Sequence, residues 1–458
     1  MDDQKTKQPV QSLNTSSNNN DTQVNTNVPP NPVDMAKNSV PPSFTSRFGN
    51  FSSSSSAAQP KQKDPHKENW EFLKANLGEG RVKENESMSN HTTFRIGGPA
   101  EFYFEAESID DFIKAITVCR QDKFLKDPED VTEEDKDRLA EIEKQKSKSA
   151  PPKPSTSPYG LGRSPFGSKL GTKKESHYFL PCFILGGGSN ILVSDRGIKG
   201  LTIKVKASKI NFGGEIVEAY AGTLTGFLLQ KVLDSGLTGM EFLDGVPGTI
   251  GGAVFNNAKA FFLGNFLKNP KSISEIIYDF TVITKEGKVL TRNVSDYEWG
   301  LTHNNISENG DIILVVRLKL HKGVSKEAEL YLKEYNAIRR QKPYMRHPSA
   351  GSIFRNPDGF SAGKLIDECG LKGEKRGGAQ ISEEHGNILI NLGNAKAVEV
   401  RELIDLAKEK VSQKFNINLQ EEIRYIGDYR SDAEISFLKE KNSEKNDQLD
   451  SENGNQDQ

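Results

Sequence analysis

The stretch Met240–Asn257, MEFLDGVPGTIGGAVFNN, joins a glycine-rich loop to an apolar, helix-like segment. The glycines of this GVPGTIGG loop are Gly245, Gly248, Gly251 and Gly252. Glycine allows the backbone to approach a ligand closely and to adopt positive φ without a Cβ penalty. Backbone N–H groups in such a loop, leading into a helix N-terminus, suit a phosphate. An isolated motif of this kind also fits a tight turn with close packing, so a second signal is needed.

A second glycine cluster, the GGGSN loop (Gly186–Asn190), provides that signal. It lies between two short apolar runs, Phe183–Leu185 and Ile191–Val193. Two strands around three glycines and a Ser-Asn pair predict a second phosphate-sized nest of donors. Neither loop is a GxGxxG or GxxxxGK[ST] motif, which disfavours a Rossmann dinucleotide site and a Walker loop. Two separate nests predict one extended ligand that carries a pyrophosphate.

Charge and cysteine content exclude several classes of protein. The 61 lysines and arginines nearly balance the 63 aspartates and glutamates, and the net charge of -2 gives no case for a nucleic-acid partner. Cys119, Cys182 and Cys369 form no CxxC pair and no metal-ligand spacing, so we expect reduced thiols and no metal site. No apolar run approaches the ~18 residues of a membrane helix, and the N-terminus has no apolar signal core. We therefore expect a soluble, cytoplasmic protein without a membrane partner.

Local patterns predict several elements. Ser108 is a candidate N-cap for a helix whose apolar residues recur at helical spacing. Gly287 marks the turn of a β-hairpin. Helices are predicted at Ala362–Glu368 and Ala397–Phe415, and a final strand at Leu419–Ile426.

Several motifs resemble, in their order along the chain, the UDP-N-acetylenolpyruvoylglucosamine reductases (MurB), which are flavoenzymes of bacterial cell-wall synthesis. The likeness covers about residues 84–428 apart from one insertion, and the GKLID segment resembles the family's second type. The order and intervals of the motifs make the likeness specific, because any one motif alone is weak. Besides the two glycine loops, the motifs are NHTTFRIGGPAEFYFE (Asn90–Glu105), GSIFRNP (Gly351–Pro357), SAGKLIDECGLKG (Ser361–Gly373) and EEIRYIG (Glu421–Gly427).

The resemblance implies an α+β fold, with a two-lobed FAD-binding (PCMH-type) region followed by an α/β substrate-binding domain. Polar, low-complexity segments flank and interrupt this region, and we expect the insertion to be a tolerated surface loop rather than a partner-docking segment. The predicted parts are a disordered tail (1–66), FAD-binding lobe 1 (67–120), the low-complexity insertion (121–178), FAD-binding lobe 2 (179–296), the substrate-binding domain (297–429) and a second disordered tail (430–458).

The resemblance also implies a reaction. In this family NADPH reduces FAD, and the hydride then passes to the enolpyruvyl double bond of UDP-N-acetylglucosamine enolpyruvate, which gives UDP-N-acetylmuramate for peptidoglycan synthesis. The chain is therefore expected to be a UDP-N-acetylmuramate dehydrogenase that uses FAD and NADPH, takes a small nucleotide-sugar substrate and acts as a monomer. Two alternatives stay open: another FAD-linked oxidoreductase of the same fold, and a catalytically weakened flavin or nucleotide-sugar binding protein.

Non-covalent FAD is expected across the two glycine loops. The nests alone indicate a diphosphate, and the resemblance identifies it as the diphosphate of FAD. The candidate cofactor-binding residues are Gly186, Gly187, Gly188, Ser189, Asn190, Gly222, Gly245, Val246, Pro247, Gly248, Thr249 and Gly252.

Two residues match the family's catalytic groups. Ser352, in GSIF, matches the serine that delivers a proton after hydride transfer; a hydroxyl suits this role because the neighbouring carbanion is far more basic than an alkoxide. Glu422 matches the catalytic glutamate, and on an extended strand it shares a face with Arg424. A buried, protonated Glu422 could hydrogen-bond the substrate carboxylate. Without the resemblance, Ser352 would be interpreted as a turn residue and Glu422 as an exposed strand residue.

A third catalytic residue of the family, an arginine, is missing. Thr302 occupies its position, and a neutral hydroxyl cannot supply the permanent charge of a guanidinium. We therefore expect either that another cation replaces it in space or that the enzyme is slow. Arg346 is the stronger candidate and Arg355 the weaker one. Lys259 stands where the family usually has a glycine, just beyond the GVPGTIGG loop.

The substrate carries a diphosphate and a carboxylate, which need cationic contacts. Arg340, Arg346 and Lys364 are the candidate cations, and Asn356 resembles the family's substrate-binding amide. For Arg340 a solvated basic helix end fits equally well, and Asn356 alone would be interpreted as an Asn-Pro turn residue.

Overall fold

The computed structural model describes residues 64–124, 178–260, 271–300, 304–323 and 346–430, with isolated positions at 330, 332, 333, 337, 434 and 436. These residues belong to one compact unit, Gln62–Gln458. The predicted tails (1–66 and 430–458) and the predicted insertion (121–178) lie outside the described residues except at their edges. Among the described residues, no helix is both long and apolar enough to cross a membrane.

The first lobe combines a mixed sheet with two helices, and this sheet includes strands from residues 182–205, which the sequence-based boundary at residue 179 places in the second lobe. Its elements are α1 (Pro65–Leu77), β1 (Val82–Ser87), β2 (Pro99–Ala106), α2 (Ile109–Cys119), β3 (Cys182–Leu185), β4 (Ile191–Val193) and β5 (Ile198–Val205). The sheet order is β1-β2-β5-β3; β1 is antiparallel to β2, and β2 and β3 are both parallel to β5. Ser108 Oγ accepts from Asp111 N at 3.0 Å, which confirms the predicted cap of α2, and Phe112 and Ile116 are buried at helical spacing.

The second lobe is built on a five-stranded antiparallel sheet. Its elements are β6 (Ile210–Gly213), β7 (Ile216–Tyr220), α3 (Thr225–Asp234), β8 (Leu237–Thr238), α4 (Ile250–Phe255), β9 (Lys259–Ala260), β10 (Lys271–Ser272), β11 (Ile277–Ile283), β12 (Val289–Arg292), β13 (Ile312–Lys319) and β14 (His321–Lys322). The sheet order is β12-β11-β13-β7-β6. β11 and β12 form the predicted hairpin around Gly287, whose φ is +82°. β8 pairs with β14, and β9 pairs with β10.

β13 lies at the centre of this sheet, although the sequence-based boundary at residue 297 places it in the following domain. Its side chains are buried on both faces, with Leu314 in the core of the first lobe and Val316 and Leu318 in the core of the second. A near-continuous apolar run of this kind is typical of a strand that is covered on both sides. The sheet of the second lobe therefore extends to Lys319.

The third region packs a long helix on a small antiparallel sheet. Its elements are α5 (Ala362–Glu368), β15 (Lys375–Arg376), β16 (Ala379–Ile381), β17 (Leu389–Asn391), α6 (Ala397–Phe415) and β18 (Arg424–Ile426). Both helices have the predicted bounds, and β15, β16 and β17 are neighbours in that order. Val400, Leu403, Ile404, Ala407 and Val411 bury one face of α6 at helical spacing.

The last strand, β18, leaves the third region and pairs in parallel with β4 of the first lobe. Arg424 lies opposite Ile191, and Ile426 lies opposite Val193. Because β4 directly follows the GGGSN loop, this pairing brings the end of the third region to that loop. Separate helices with mixed and antiparallel sheets confirm the expected α+β class.

Candidate active site

The GGGSN and GVPGTIGG loops are in direct contact. A Cβ atom at Gly187 would lie 2.4 Å from Gly248 Cα, which is closer than real Cβ atoms approach. Ser189 Oγ donates a hydrogen bond to the Pro247 carbonyl at 3.0 Å. The two backbones can therefore meet only because position 187 is a glycine. The two predicted nests form one continuous surface.

The GGGSN loop presents open backbone donors, meaning N–H groups without a protein acceptor. Within the part of the chain that the structure describes, the N–H groups of Gly187, Gly188, Ser189 and Asn190 donate to no protein acceptor. Gly188 has a φ of +66°, and a Cβ atom there would lie 2.2 Å from the His91 carbonyl oxygen. Successive N–H groups in such a turn form a concave site for an anion. The loop therefore fits the predicted diphosphate.

In the first turn of α4, at the end of the GVPGTIGG loop, the backbone N–H groups have protein acceptors. The N–H groups of residues 250–253 donate, in order, to Thr223 O at 2.8 Å, Ala221 O at 2.9 Å, Thr249 Oγ1 at 3.3 Å and Thr249 O at 2.8 Å. The N–H groups of this helix start thus already have protein acceptors, and the expectation that they bind a phosphate stays a prediction. The open donors of this loop lie earlier: the N–H groups of Gly248 and Thr249 have no acceptor among the described residues.

Some candidate cofactor-binding residues have structural reasons of their own. A Cβ atom at Gly222 would lie 2.5 Å from the Ala207 carbonyl oxygen, so close packing requires this glycine. Gly245 has a φ of +67°, and Val246 packs against the core of the second lobe. Gly252 is the residue whose N–H donates to the Thr249 hydroxyl. Contacts of these residues with a cofactor stay predictions.

Ser352 and Glu422 lie on neighbouring antiparallel segments. Glu422 N donates to Ile353 O at 2.7 Å, and Arg355 N donates to Gln420 O at 2.8 Å. These two hydrogen bonds fix the pairing of the two segments that carry the predicted catalytic residues. The structure thus brings the predicted proton donor and the predicted acid together from distant parts of the chain.

Asn190 joins this pair to the GGGSN loop. Its Nδ2 donates to Glu422 O at 3.1 Å, and its carbonyl accepts from Arg424 N at 3.1 Å. Glu422 and Arg424 both interact electrostatically with Arg355, as expected for alternating residues on one face of an extended segment. Asn190 therefore joins the GGGSN loop directly to the backbone of the segment that carries Glu422.

Ser352 is presented on a fixed backbone. The serine is exposed, whereas the next two residues, Ile353 and Phe354, are buried. Asn387 holds this segment from both sides, because its Oδ1 accepts from Phe354 N at 2.8 Å and its Nδ2 donates to Phe354 O at 2.8 Å. A hydroxyl on such a backbone is positioned before a substrate arrives.

Glu422 has the environment of a group that holds a proton. It is half-buried, and burial raises its pKa above the usual value for glutamate, as the sequence predicts; Lys259 and Arg355 act in the opposite direction. Lys259 is also half-buried, and burial lowers its pKa, with Glu422 acting against burial and Arg355 acting with it. The three groups therefore influence one another.

Among the residues that the structure describes, the cations that act on Glu422 are Lys259 and Arg355. Arg346, the stronger candidate from the sequence, is exposed and shows no interaction with Glu422 in the part of the chain that the structure describes. Thr302 lies outside the described residues. In the sequence, Lys259 is distinctive only because the family usually has a glycine at this position. That substitution is the one sequence signal that pointed to Lys259 as a residue of the site.

The other predicted substrate-binding residues are spread around this site. Asn356 Oδ1 accepts from Ala362 N at 3.0 Å, so its amide group helps to begin α5. Lys364 is exposed and its Nζ lies 3.8 Å from the Glu368 carboxylate. Arg340 lies outside the described residues. The substrate contacts of these residues stay predictions.

Two family models match the chain. Residues 342–426 match the C-terminal domain of UDP-N-acetylenolpyruvoylglucosamine reductase, and residues 176–293 match an FAD binding domain. The first match contains Ser352 and Glu422, and the second contains both glycine loops. Both matched regions therefore contribute residues to the candidate site.

Full-length relatives are similar over most of the chain. A UDP-N-acetylenolpyruvoylglucosamine reductase from Alkaliphilus oremlandii (strain OhILAs) is 32% identical over 346 residues, which are 75% of this chain and 93% of that protein. The enzyme of the same name from Clostridium novyi (strain NT) is 30% identical over 357 residues, 78% of this chain and 95% of that protein. The crystal structure of the reductase (MurB) from Thermus caldophilus aligns with a TM-score of 0.53 and 27% identity, and covers 76% of this chain and 99% of that one.

Proposed function

The chain belongs to the UDP-N-acetylenolpyruvoylglucosamine reductase family, and from that premise we propose that Ser352 and Glu422 act on the substrate beside the GGGSN loop. The family identifies the chain as an FAD- and NADPH-dependent oxidoreductase of peptidoglycan synthesis. Bound FAD supplies a hydride that comes from NADPH. The observation that carries the proposal is the pair of hydrogen bonds by which Asn190 and Ile353 join Glu422 to the GGGSN loop and to the Ser352 segment.

The two glycine loops are proposed to hold the diphosphate of FAD without a covalent bond. The open N–H groups of residues 187–190 lie next to those of Gly248 and Thr249, and together they supply donors for an anion. Acid precipitation of the purified protein should release the flavin into the supernatant. Flavin that stays on the protein, or that never co-purifies, would contradict this assignment.

Ser352 is proposed to deliver the proton. Once the hydride has added to one carbon of the substrate double bond, the neighbouring carbon carries the negative charge and is basic enough to take the proton from a hydroxyl. The fixed backbone at Ser352 holds that hydroxyl in place, and its exposure lets the resulting alkoxide regain a proton from water.

Glu422 is proposed to bind the substrate carboxylate in its protonated form. Burial raises the pKa of Glu422, so its carboxyl group is protonated in a larger fraction of protein molecules near neutral pH than that of a free glutamate would be. A protonated carboxyl group can donate a hydrogen bond to an oxygen on which negative charge develops, whereas a carboxylate would repel it.

The nucleotide-sugar substrate is proposed to be held by Asn356, Arg340, Arg346 and Lys364. Asn356 Oδ1 is already engaged by Ala362 N, so this residue can offer its amide hydrogens to an acceptor on the substrate. Arg346 and Lys364 are exposed and can reach a diphosphate. We propose that the enzyme acts as a monomer, which sedimentation of the full-length protein tests.

A two-step absorbance assay without oxygen tests the function. NADPH should bleach the yellow protein, and UDP-N-acetylglucosamine enolpyruvate should then restore the colour with formation of UDP-N-acetylmuramate. Bleaching without recovery would indicate another FAD-linked oxidoreductase. A coloured protein that does not respond to NADPH would indicate a binding protein.

A further inference from the structure

Lys259 emerges from a turn whose backbone is fixed on both sides. Ala258 N donates to Ala253 O at 2.7 Å, and the carbonyl of Ala258 accepts from Ile273 N at 2.9 Å. Asn257, with a φ of +44°, has its side chain buried in the same turn. The first residue of β9 therefore starts from a defined position beside the end of α4.

The same turn packs against the segment that carries Glu422. The Arg424 guanidinium lies over the Phe255 ring at 4.5 Å from its centre, and Phe255 is the last residue of α4. Glu422 lies two residues before Arg424, and the charges of Lys259 and Glu422 influence each other. Lys259 therefore approaches the segment that carries Glu422 from the second lobe.

The turn also holds both residues that flank the segment 301–303. Asn257 Nδ2 donates to Gly300 O at 2.7 Å, and Asn304 Nδ2 donates to Val254 O at 2.8 Å. The family's arginine position is 302, and the chain has threonine there. Lys259 therefore follows directly after a turn that is hydrogen-bonded to Gly300 and Asn304.

The described residues place three cations near Glu422. Lys259 and Arg355 act on Glu422, and Arg424 interacts with Arg355. When Glu422 holds its proton, Lys259, Arg355 and Arg424 still carry positive charge near the segment that pairs with the Ser352 segment. Such an arrangement suits a substrate group that brings one negative charge and gains more during the reaction.

We propose that Lys259 is the charge-stabilising residue of the substrate half-reaction, in place of the guanidinium that the sequence lacks at position 302. Its ammonium group pairs with the carboxylate of the enolpyruvyl group. As the hydride adds to one carbon, the electron pair of the double bond moves to the neighbouring carbon and its carboxylate, and Ser352 then protonates that carbon. This inference rests on the proposed function, because it assigns a role within that half-reaction.

Single-turnover kinetics of the full-length, FAD-loaded protein test the proposal. Lys259→Met removes the charge and keeps the apolar stem, whereas Lys259→Arg keeps a charge. With saturating NADPH, flavin reduction by Lys259→Met should stay within about twofold of the wild type, whereas reoxidation by the enolpyruvyl substrate should slow by about a hundred- to a thousandfold. The loss should appear in the limiting rate at saturating substrate, and Lys259→Arg should recover most of it.

Lys271→Met is the matched control. Lys271 is exposed on β10 and pairs with Ala260, whereas Lys259 pairs with Ser272, so the two lysines lie on opposite faces of one ribbon. This control should react as the wild type does. If Lys259→Met loses FAD, Lys259→Gln is measured in the same way.

Two results would overturn the proposal while leaving the proposed function intact: reoxidation of Lys259→Met as fast as that of Lys271→Met, or equal slowing of both half-reactions. Failure of the enolpyruvyl substrate to reoxidise the wild type would overturn the proposed function itself, and the role of Lys259 with it.

Discussion

The GGGSN loop leaves the N–H groups of residues 187–190 open, whereas the end of the GVPGTIGG loop uses the N–H groups of residues 250–253 to hold α4 in place. Both loops are rich in glycine, and they touch at Gly187 and Gly248. They differ in what lies behind them: Asn190 links the GGGSN loop to Glu422, while Ile250 buries the start of α4 in the core of the second lobe.

A glycine-rich loop therefore indicates that something approaches its backbone closely. It does not indicate whether a ligand or another protein segment approaches. A glycine is needed equally where a ligand comes near and where another strand or helix does. The hydrogen bonds of the neighbouring N–H groups separate the two cases, because an N–H that already has a protein acceptor offers little to an anion.

The largest effect is expected on the side of the GGGSN loop, for Ser352→Ala. Flavin reduction by NADPH should be spared, and reoxidation by the enolpyruvyl substrate should slow by about two to four orders of magnitude, because only the second half-reaction needs the proton. Stopped-flow absorbance separates the two steps. Equal damage to both would mean that Ser352 supports the fold of the site rather than its chemistry.

Alanine at one glycine of each loop compares the loops directly. Gly187→Ala places a Cβ 2.4 Å from Gly248 Cα, and Gly251→Ala places one 2.8 Å from Ala221 Cβ. Each overpacking should cost about 1–3 kcal/mol. For Gly187→Ala we expect this cost to weaken FAD binding by about 5- to 150-fold. For Gly251→Ala we expect it to lower the free energy of unfolding.

Flavin fluorescence titration and thermal unfolding measure the two quantities. The comparison fails if both variants lose FAD to the same extent while unfolding at the same temperature.

A smaller effect is expected for Asn190→Ala, which removes the hydrogen bond from Nδ2 to Glu422 O. Loss of one such bond costs about 1 kcal/mol, so reoxidation should slow by about fivefold. Ser189→Ala is the matched control, because its hydroxyl bonds to Pro247 and not to the Glu422 segment. If Ser189→Ala slowed reoxidation as much as Asn190→Ala does, the link from Asn190 to Glu422 would have no special importance.

The smallest effect concerns stability and pH. Because burial raises the pKa of Glu422, the folded state favours the protonated form, and the wild type loses stability as the pH rises through that pKa. Glu422→Gln should therefore melt at a higher temperature than the wild type in neutral solution. The difference should vanish in acid, where the wild-type residue is protonated in both the folded and the unfolded state.

Asp428 provides a contrast of opposite sign near the same strand. Its hydrogen bonds with Arg430 lower its pKa to about 2. The resulting stabilisation is present above the ordinary pKa of aspartate and is lost as the pH falls toward about 2. Asp428→Asn should therefore melt below the wild type in neutral solution and approach it in acid. Melting curves at several pH values check both variants, and the same sign for both would contradict the assignment.

Local sequence patterns were enough to predict several helices, the cap at Ser108 and the residue types that the site contains. The cap at Ser108 and the bounds of Ala362–Glu368 and Ala397–Phe415 agree between sequence and structure. They could be predicted because caps and helical hydrogen bonds join residues at most four positions apart. The two glycine loops, Ser352 and Glu422 were likewise visible as motifs, since a motif depends only on neighbouring residues.

Which of these residues lie near one another depends on the tertiary structure. Two of the four acceptors that hold the first turn of α4 come from the distant residues Ala221 and Thr223, and the described cations that act on Glu422 come from positions 259 and 355. β18 pairs with β4, and β13 lies between β11 and β7. These partner strands are also far apart in the sequence. Strand partners, open donors and the charge around a buried acid depend on segments that the chain brings together only by folding. Local patterns cannot specify them.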